Sequence, residues 1–388
     1  MSVRVPVAPS VLEWALERSG QSTTEFEKKY PKWQDWVSGA CQPTIKQVQD
    51  IASCAHVPFG TMFLHEPPRV ELPIPDFRMG PKGQPLRPSQ ELLECIYVSQ
   101  QRQAWFRDYA ANHGLDRVSI VGQGRQLTTA QAAGVITQLF DFEPGRRPST
   151  REDARNHVRR TFESLGGLIV FAGVVGNNTH RRLDREEFKG FTLADDLAPF
   201  IFVNASDSLS AQLFTFFHEF AHVLRAESGV SDDELAVAQT SQTDAGAAER
   251  WCNIVAAEVL VPADDLRQRF DGKHPDRTTL DSLSSRYLAS TLTVLIRLRD
   301  LGLVPSDGFD DLYAAEQEHI QGLLADGAGS PGGGNHWNNQ PFRVGERLAR
   351  TVIYEVHAGR TSFTEAFHLL AIKNAQGLWK LGAKVGVV

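Results

Sequence analysis

The sequence predicts an α+β protein that is mostly helical, with helical units at both ends and a small sheet between them. Three observations support this fold class. The 388 residues are too many for one ordinary core, so two or three domains are expected. Apolar stripes at helical spacing recur through most of the chain, whereas β-branched and aromatic runs bounded by glycine are confined to residues 168–204. Hydrophobic content of 41% beside charged content of 22% is typical of a folded globular chain.

The composition limits the class of partner and the compartment. The formal net charge is −7 and no long basic run occurs, so contact with nucleic acid would require a local patch. The four cysteines are widely scattered and form no C-x-x-C pair, which predicts neither a disulfide framework nor a cysteine zinc site and fits a reducing compartment. The N-terminus lacks an apolar signal segment, and no run of about 18 apolar residues is present. We therefore expect a cytoplasmic protein that does not enter a membrane.

Residues 1–66 are expected to form the first domain, a compact helical bundle. A first amphipathic helix ends at Gly20, a good stop signal. Capping boxes at Ser22–Glu25 and Thr44–Gln47 mark the starts of two further helices. Short helices with tight turns are typical of a helix-turn-helix domain, but the same pattern suits a small packing module that does not contact DNA.

The positions of proline and glycine predict the remaining domain boundaries. Seven prolines between residues 67 and 88 predict an extended linker, and a helical segment over 89–165 follows it. The next domain is expected to span residues 166–324. A glycine-rich run predicts a loop over 325–341, and residues 342–388 read as a helical C-terminal region.

The periodicity of the apolar residues changes from helical to extended at the start of the domain predicted over residues 166–324. The run Leu168–Gly176 is β-branched and aromatic and is bounded by glycines, which predicts a strand. The stretches FKGFTL (188–193) and PFIFVN (Pro199–Asn204) flank a short polar segment and predict a hairpin. The small sheet of the predicted fold therefore lies directly before the most unusual helix of the chain.

That helix contains the stretch LFTFFHEFAHVL, Leu213–Leu224, which places two imidazoles and a carboxylate in an apolar run. His218 and His222 are four residues apart, so both imidazoles lie on one helix face and reach one ion. Glu219 lies beside them, where it can contact water on that ion. The spacing H-E-x-x-H predicts a zinc hydrolase with two histidine ligands and a catalytic glutamate that acts as general base. An ordinary amphipathic helix with histidines at its edge is the competing interpretation.

A catalytic zinc ion takes three protein ligands and keeps one open position. The helical stretch AAERWCNIVAAEVLVP supplies Glu249, with Asn253 one turn further on, and Glu249 is the predicted third ligand. Glu258 on the same helix is an alternative, although its spacing excludes both glutamates from one ion. Glu227 and Glu234 read as solvated surface charges.

Together these residues resemble the ImmA/IrrE family of zinc metallopeptidases. The resemblance rests on FVNASDSLSAQLFTFFHEFAHVL followed by ERWCNIVAAEVLVP, and on HEPPRVELPIPDFRM after the N-terminal helices. It covers about residues 8–310 and is similar to longer members that join an XRE-like helix-turn-helix domain to a zincin-like metallopeptidase domain.

The resemblance implies a site and a function. His218, His222 and Glu249 would be zinc ligands and Glu219 the catalytic base; manganese also suits such a donor set. The implied activity is site-specific cleavage of a protein partner, a helix-turn-helix repressor or a toxin–antitoxin component, in a mobile-element, stress or phage-defence context. The fold of the family implies a strand that pairs with the substrate near the metal, and Pro199–Asn204 is the predicted strand.

The sequence also departs from the family pattern. These departures leave DNA binding and docking to protein as alternative functions of the N-terminal domain. Arg-Phe-Thr often precedes the metal motif, whereas Leu213 stands at the first of these positions. The N-terminal domain has only a short segment with Trp33 and Trp36 where a recognition helix is expected, although Lys28, Lys29 and Lys32 are available for phosphates. DNA binding by this domain is therefore possible, and docking to protein is an equal alternative.

Two later segments also have a helix-turn-helix pattern, the first with Arg286, Arg297 and Arg299 as a local basic set and the second opening at Ser362. Structural bundles are the competing interpretation of both. For the whole chain, the alternatives to a peptidase are a DNA-binding regulator or antitoxin-like protein with a non-catalytic metal site, and an interaction scaffold.

Overall fold

The computed structural model of the chain describes residues 3–55, 57–68, 71–78, 87–231, 244–270, 272, 275–327 and 336–387. It is an α+β structure in which helices greatly outnumber strands, so the predicted fold class is confirmed. Within these ranges, every helix is too short or too polar to traverse a lipid bilayer.

The chain divides into two compact units. The first comprises Met1–Leu72 with Arg87–Glu94, and the second comprises Pro73–Leu86 with Cys95–Val388. Each unit encloses its own hydrophobic core.

The first unit is a bundle of short helices. They are α1 (Pro9–Arg18), α2 (Thr23–Lys29), α3 (Trp33–Val37) and α4 (Ile45–Cys54), followed by a 3-10 turn at Phe59–Phe63. Both predicted capping boxes are present. The side chains of Ser22 and Thr44 accept from the backbone amide three residues later, and the side chains of Glu25 and Gln47 accept from the backbone amides of Ser22 and Thr44. Trp33 and Trp36 are buried beside Phe26, so the tryptophans form the core of this unit.

The proline-rich segment is followed by a series of further helices. They are α5 (Gln90–Asn112), α6 (Thr129–Phe140), α7 (Arg151–Ser164), α8 (Leu209–Arg225), α9 (Asp244–Leu260), α10 (Ala263–Arg269), α11 (Arg277–Tyr287), α12 (Thr291–Asp300), α13 (Phe309–Gly327), α14 (His336–Val344), α15 (Glu346–His357), α16 (Phe363–Leu369) and α17 (Ala375–Val385).

Four short strands form one mixed sheet in the order β1-β3-β2-β4. The strands are β1 (Leu168–Ala172), β2 (Gly190–Leu193), β3 (Phe200–Asn204) and β4 (Gly229–Ser231). β1 pairs with β3 in parallel, and β2 pairs antiparallel with both β3 and β4. The predicted hairpin is therefore present as β2 and β3.

The position of β3 corrects one expectation. Pro199–Asn204 was the predicted partner strand for a substrate, but β3 lies inside the sheet with neighbours on both sides. The backbone amides and carbonyls of β3 already pair with β1 and β2, so β3 cannot pair with a substrate strand. The edge strand next to β2 is β4.

The glycine-rich loop is also shorter than predicted. Within the range 325–341, α13 continues to Gly327 and α14 begins at His336, and the residues between these helices lie outside the described ranges. The stretch 336–341 carries little apolar periodicity of its own, so no local signal indicated a helix there.

Candidate metal centre

Helix α8 carries the candidate metal ligands in the middle of the second unit. Its N-cap is Ser208, whose hydroxyl accepts from the amide of Ala211, and it ends where Ala226 adopts a left-handed conformation with φ 55°. Phe216, Phe217 and Phe220 pack on Phe140 of α6 at ring-centroid distances of 5.4, 5.8 and 4.9 Å. This aromatic packing fixes the rotation of α8 about its axis, because the rings fill one side of the helix completely.

The other side of α8 brings the predicted ligands together. His218 Nε2 and His222 Nε2 are 3.1 Å apart. The carboxylate of Glu249 on α9 reaches both rings, with Oε2 3.2 Å from His218 Nε2 and Oε1 2.9 Å from His222 Nε2. Both histidines are fully buried, and the Glu249 side chain is 13% exposed. Three side chains from two helices thus converge on one point, as the sequence predicted.

Two further polar groups hold the ring of His218. Its Nδ1 lies 2.7 Å from Oδ1 of Asn253, one turn after Glu249 on α9, and its Nε2 lies 3.2 Å from Oγ of Ser231 in β4. An amide oxygen accepts only, so Nδ1 carries the proton and Nε2 keeps its lone pair toward the cluster. Such outer partners orient a histidine for metal binding.

Glu219 is fully buried next to the cluster. The hydroxyl of Thr192 in β2 donates to Glu219 Oε2 at 2.7 Å and lies 3.0 Å from the carbonyl oxygen of Glu219. Gly190 of β2 makes room for the carboxylate, since a Cβ atom there would be 2.9 Å from Glu219 Oε1. Burial raises the pKa of Glu219 to about 7, although the two histidines and the bond from Thr192 oppose the shift.

Glu249 has the opposite electrostatic balance. Burial would raise the pKa of Glu249, but the neighbouring His218 and His222 outweigh that effect and lower it to about 2. The pKa values of the two carboxylates in this site are therefore shifted in opposite directions, upward for Glu219 and downward for Glu249. Such divergence within one site separates the carboxylate that holds a cation from the one that transfers protons.

The residues present fit a divalent cation. Two imidazole nitrogens and a carboxylate oxygen are the donors that zinc takes in catalytic sites, at about 2.0–2.2 Å each. Their mutual distances of 2.9–3.2 Å are compatible with binding to one ion. Within the described residues, His218, His222 and Glu249 are the group whose ligand atoms lie within 4.8 Å of one another. Among the described residues, none donates a hydrogen bond to Glu219 Oε1. This buried oxygen can therefore accept a hydrogen bond from a water molecule.

The alternative carboxylates lie elsewhere or outside the described residues. Glu258 forms an ion pair with Arg297 and accepts from the amide of Ala263, so it is not part of the cluster. Glu227 pairs with Arg225 at 2.9 Å, and its carboxylate lies 3.9 Å from Nδ1 of His222. Glu234 lies outside the described residues.

An extended segment from the proline-rich stretch covers the edge of the sheet beside the cluster. The amide of Val230 in β4 donates to Pro75, and the carbonyl of Val230 accepts from Phe77 at 3.0 Å. The ring of Phe77 then stacks on that of His222, with centroids 5.6 Å apart and planes 8° from parallel. Gly229 permits this contact, because a Cβ atom there would be 2.0 Å from the Phe77 ring.

Arg78 fixes this segment, which we call the edge segment, Pro75–Arg78. Its side chain is completely buried and pairs with Asp76 at 2.8 Å and with Glu187 at 3.3 Å. Burial opposes the charge of Arg78, but the two carboxylates outweigh it and raise the pKa of the guanidinium.

Sequence reasoning did not find Thr192, Ser231 or Phe77. Thr192 and Ser231 are single polar residues in short strands, and nothing in their neighbours marks them. Phe77 carries a weak signal, since an aromatic residue between Asp76 and Arg78 is unusual in a linker.

The arginines of the first later helix pair, which were candidates for DNA contact, are engaged in ion pairs. Arg286 pairs with Asp265 at 2.9 Å, Arg299 with Asp300 at 2.9 Å, and Arg297 with Glu258. The hydroxyl of Ser362 caps α16, as its sequence predicts. These contacts support the structural interpretation of both later helix pairs.

Two family models match parts of the chain. The model of peptidase family M78, described as an IrrE N-terminal-like domain, matches residues 162–299, which include β1–β4 and the whole metal cluster. A domain of unknown function, DUF8813, matches residues 344–383. No curated protein matches the chain. The first match supports a metallopeptidase of the ImmA/IrrE type, whereas a helix-turn-helix domain at residues 1–66 stays a prediction.

Proposed function

We propose that this protein is a zinc-dependent endopeptidase that cleaves a specific protein partner, namely a helix-turn-helix repressor or a toxin–antitoxin component. The convergence of His218, His222 and Glu249 beside the buried carboxylate of Glu219 carries this proposal. The match of residues 162–299 to a peptidase family supports the reaction class. The repressor substrate and a mobile-element, stress or phage-defence context come from the resemblance to the family.

Each residue of the cluster has one role in the proposed reaction. His218, His222 and Glu249 hold zinc, for which manganese is a substitute. A bound zinc ion supplies Lewis-acid chemistry that activates water and polarises a carbonyl group. Glu219 accepts the proton of the attacking water and passes it to the leaving amine. Thr192 keeps the carboxylate of Glu219 oriented through Oε2, which leaves Oε1 for that proton.

The test compares the wild type with Glu219→Gln in the presence of zinc. We expect the variant to cut at least about a hundredfold more slowly, because it lacks a general base but keeps the size of the side chain. A proteome-derived peptide library and the helix-turn-helix proteins encoded beside this chain are the probes, and mass spectrometry reads the new termini. Glu143→Gln, an exposed carboxylate on the surface, is the matched control and keeps full activity.

Two outcomes contradict the proposal. Equal cleavage by Glu219→Gln and the wild type refutes the role of the carboxylate. If neither protein cuts the neighbouring repressor while both bind its operator DNA, the chain is a regulator whose metal site does not catalyse.

The edge segment controls access to the proposed active site. A peptide substrate binds a peptidase by adding a strand to a sheet edge, and β4 is the edge next to the metal cluster. Pro75–Arg78 already forms the backbone bonds of that edge, and Phe77 lies against His222. Basal activity is therefore low until this segment is displaced.

Phe77→Ala tests this control. Removal of the ring uncovers His222 and weakens the segment, so we expect basal cleavage of the peptide library to rise at least about twofold, since the lost ring stacking is worth about 0.5–1.5 kcal/mol. The double variant Phe77→Ala with Glu219→Gln is the control and abolishes the gain. Unchanged cleavage in Phe77→Ala, in a preparation that binds zinc normally, contradicts control by this segment.

A further inference from the structure

A cavity lies at the carboxyl ends of the parallel strands β1 and β3. The edge segment lies at the opposite edge of the sheet, beside β4. The volume of the cavity is about 620 Å³, and Gly173 after β1 and Ser206 after β3 form part of its wall. Phe342 and Arg343 of α14 contribute another part. None of the residues of the metal cluster lines it. The carboxyl ends of parallel strands are a common place for ligands, because loops there diverge and leave a crevice.

The cavity concentrates positive charge that the protein neutralises only in part. Its lining contains one acid, Asp184, and four arginines, which are Arg155, Arg182, Arg185 and Arg343. Arg185 pairs with Glu186 at 3.1 Å. In the part of the chain that the structure describes, the other three arginines have no carboxylate within ion-pair distance. The chain as a whole is acidic, with a net charge of −7, so this cluster is a local exception.

Aromatic and amide groups hold Arg155 in place of a carboxylate. Its guanidinium lies over the ring of Phe342 at 4.7 Å and near that of Phe171 at 5.9 Å. It also donates to the side-chain oxygen of Gln212 at 3.4 Å. Burial lowers the pKa of Arg155 and of Arg343, and neither loses its charge near neutral pH. Arg155 is thus oriented, and both arginines keep their charge for an external anion.

The loop after β1 brings Arg182 to the same cavity. Val174 bridges to Arg182 in an antiparallel pairing, and the amide of Val175 donates to the carbonyl of Arg181 at 3.0 Å. The hydroxyl of Ser206 donates to the carbonyl of Gly173 at 3.1 Å, which ties the ends of the two parallel strands together. Arg182 itself is exposed, so its side chain is available at the mouth of the cavity.

We propose that this cavity binds a small molecule that carries two or more phosphate groups. A guanidinium fork matches the oxygens of a phosphate, and three uncompensated arginines suit a multiply charged anion. The volume lies in the range of small-molecule pockets, about 300–1,000 Å³. The apolar side chains of Val174 and Leu183 in the lining leave a place for an uncharged part of the ligand, such as a nucleoside.

Isothermal titration of the full chain with ADP and with inorganic pyrophosphate tests the proposal. EDTA is present throughout, because polyphosphates bind divalent cations and would otherwise report on the metal cluster. We expect saturable binding that weakens about tenfold or more in Arg182→Met and in Arg343→Met, since each loses a charge-assisted bond. Arg267→Met removes an exposed arginine of α10 outside the cavity and leaves binding unchanged.

The outcomes separate the cavity from other sources of binding. Equal affinity of the wild type, Arg182→Met and Arg343→Met overturns the proposal, provided that circular dichroism shows the variants folded. Binding of a labelled oligonucleotide through the same arginines, with none of ADP or pyrophosphate, assigns them to nucleic acid and also overturns it. The test needs neither metal nor cleavage, so its result is independent of the proposed peptidase activity.

Discussion

Two regions of this protein pack large aromatic residues between helices, but they differ in what those residues surround. In the first unit Phe26 and Trp33 meet edge to face at 4.8 Å, and no charged side chain is buried within residues 3–55 and 57–68. Around α8, Phe216 and Phe220 pack as tightly, and the opposite side of the helix carries two buried imidazoles and one buried carboxylate.

The difference shows which signal indicates function. Aromatic packing alone provides stability in both regions, because the rings bury large apolar areas. Burying ionisable groups is costly unless they are paired or bind a metal, so their convergence at α8 requires a functional explanation. The aromatic core of the first unit requires no such explanation.

The largest effect is expected from Trp33→Ala, which should remove only stability. The side chain is 2% exposed in the centre of the aromatic core. Truncating it leaves a cavity and should lower the free energy of unfolding by about 3–5 kcal/mol. Urea denaturation followed by circular dichroism measures this change, and Phe63→Ala, with 42% of the residue exposed, is the control and should cost less than about 1 kcal/mol. If Trp33→Ala also weakened zinc binding, the two cores would not be separable.

The next effect concerns the orientation of a metal ligand. Asn253→Ala removes the acceptor from Nδ1 of His218 and should weaken zinc binding by about 10–100-fold. Competition with a chromogenic chelator measures the affinity. Asn253→Asp is the matched variant, since its carboxylate still accepts from Nδ1, and it should retain most of the affinity. Equal losses in both variants would indicate a packing role for Asn253.

The smallest effect tests a third cluster, in which polar groups satisfy one another. Hydrogen bonds from Arg286 lower the pKa of Asp265 to about 2, and Tyr287 and Arg269 contribute. Because this pKa in the folded state lies below its ordinary value of 3.8, the carboxylate stabilises the fold above that value and loses the effect as pH falls toward 2.

Asp265→Asn should therefore lower the free energy of unfolding by about 1–2 kcal/mol at pH 7, after allowance for the screening of a partly exposed group. The difference from the wild type should shrink below pH 4. Urea denaturation at both pH values measures it. A difference that is constant with pH would mean that the loss comes from packing, and zinc affinity should stay unchanged in either case.

The sequence predicted the cluster well because its geometry is largely local. The four-residue spacing of His218 and His222 determines that both lie on one face of a helix. Glu249 required a second helix and a choice among carboxylates, which the adjacent Asn253 helped to make. The capping boxes at Ser22 and Thr44 were also predictable, since each involves residues three apart.

Long-range pairing was not predictable. The internal position of β3 depends on the arrival of β2 and β1 on its two sides, and a single strand carries no signal for its neighbours. The contact of Phe77 with His222 joins residues that are far apart in the chain, through two backbone bonds to Val230. Sequence patterns report local preference and burial, whereas such contacts depend on the assembled sheet.

The edge segment has a practical consequence for how the protein is divided. The region that matches the peptidase family begins at residue 162, yet the extended segment that covers its edge strand β4 comes from residues 75–78. A fragment cut at the family boundary exposes the amide and carbonyl of Val230, and unpaired strand edges recruit other chains. We therefore expect this domain to aggregate when it is expressed in isolation, and a fragment that keeps the edge covered has to include Pro75–Arg78.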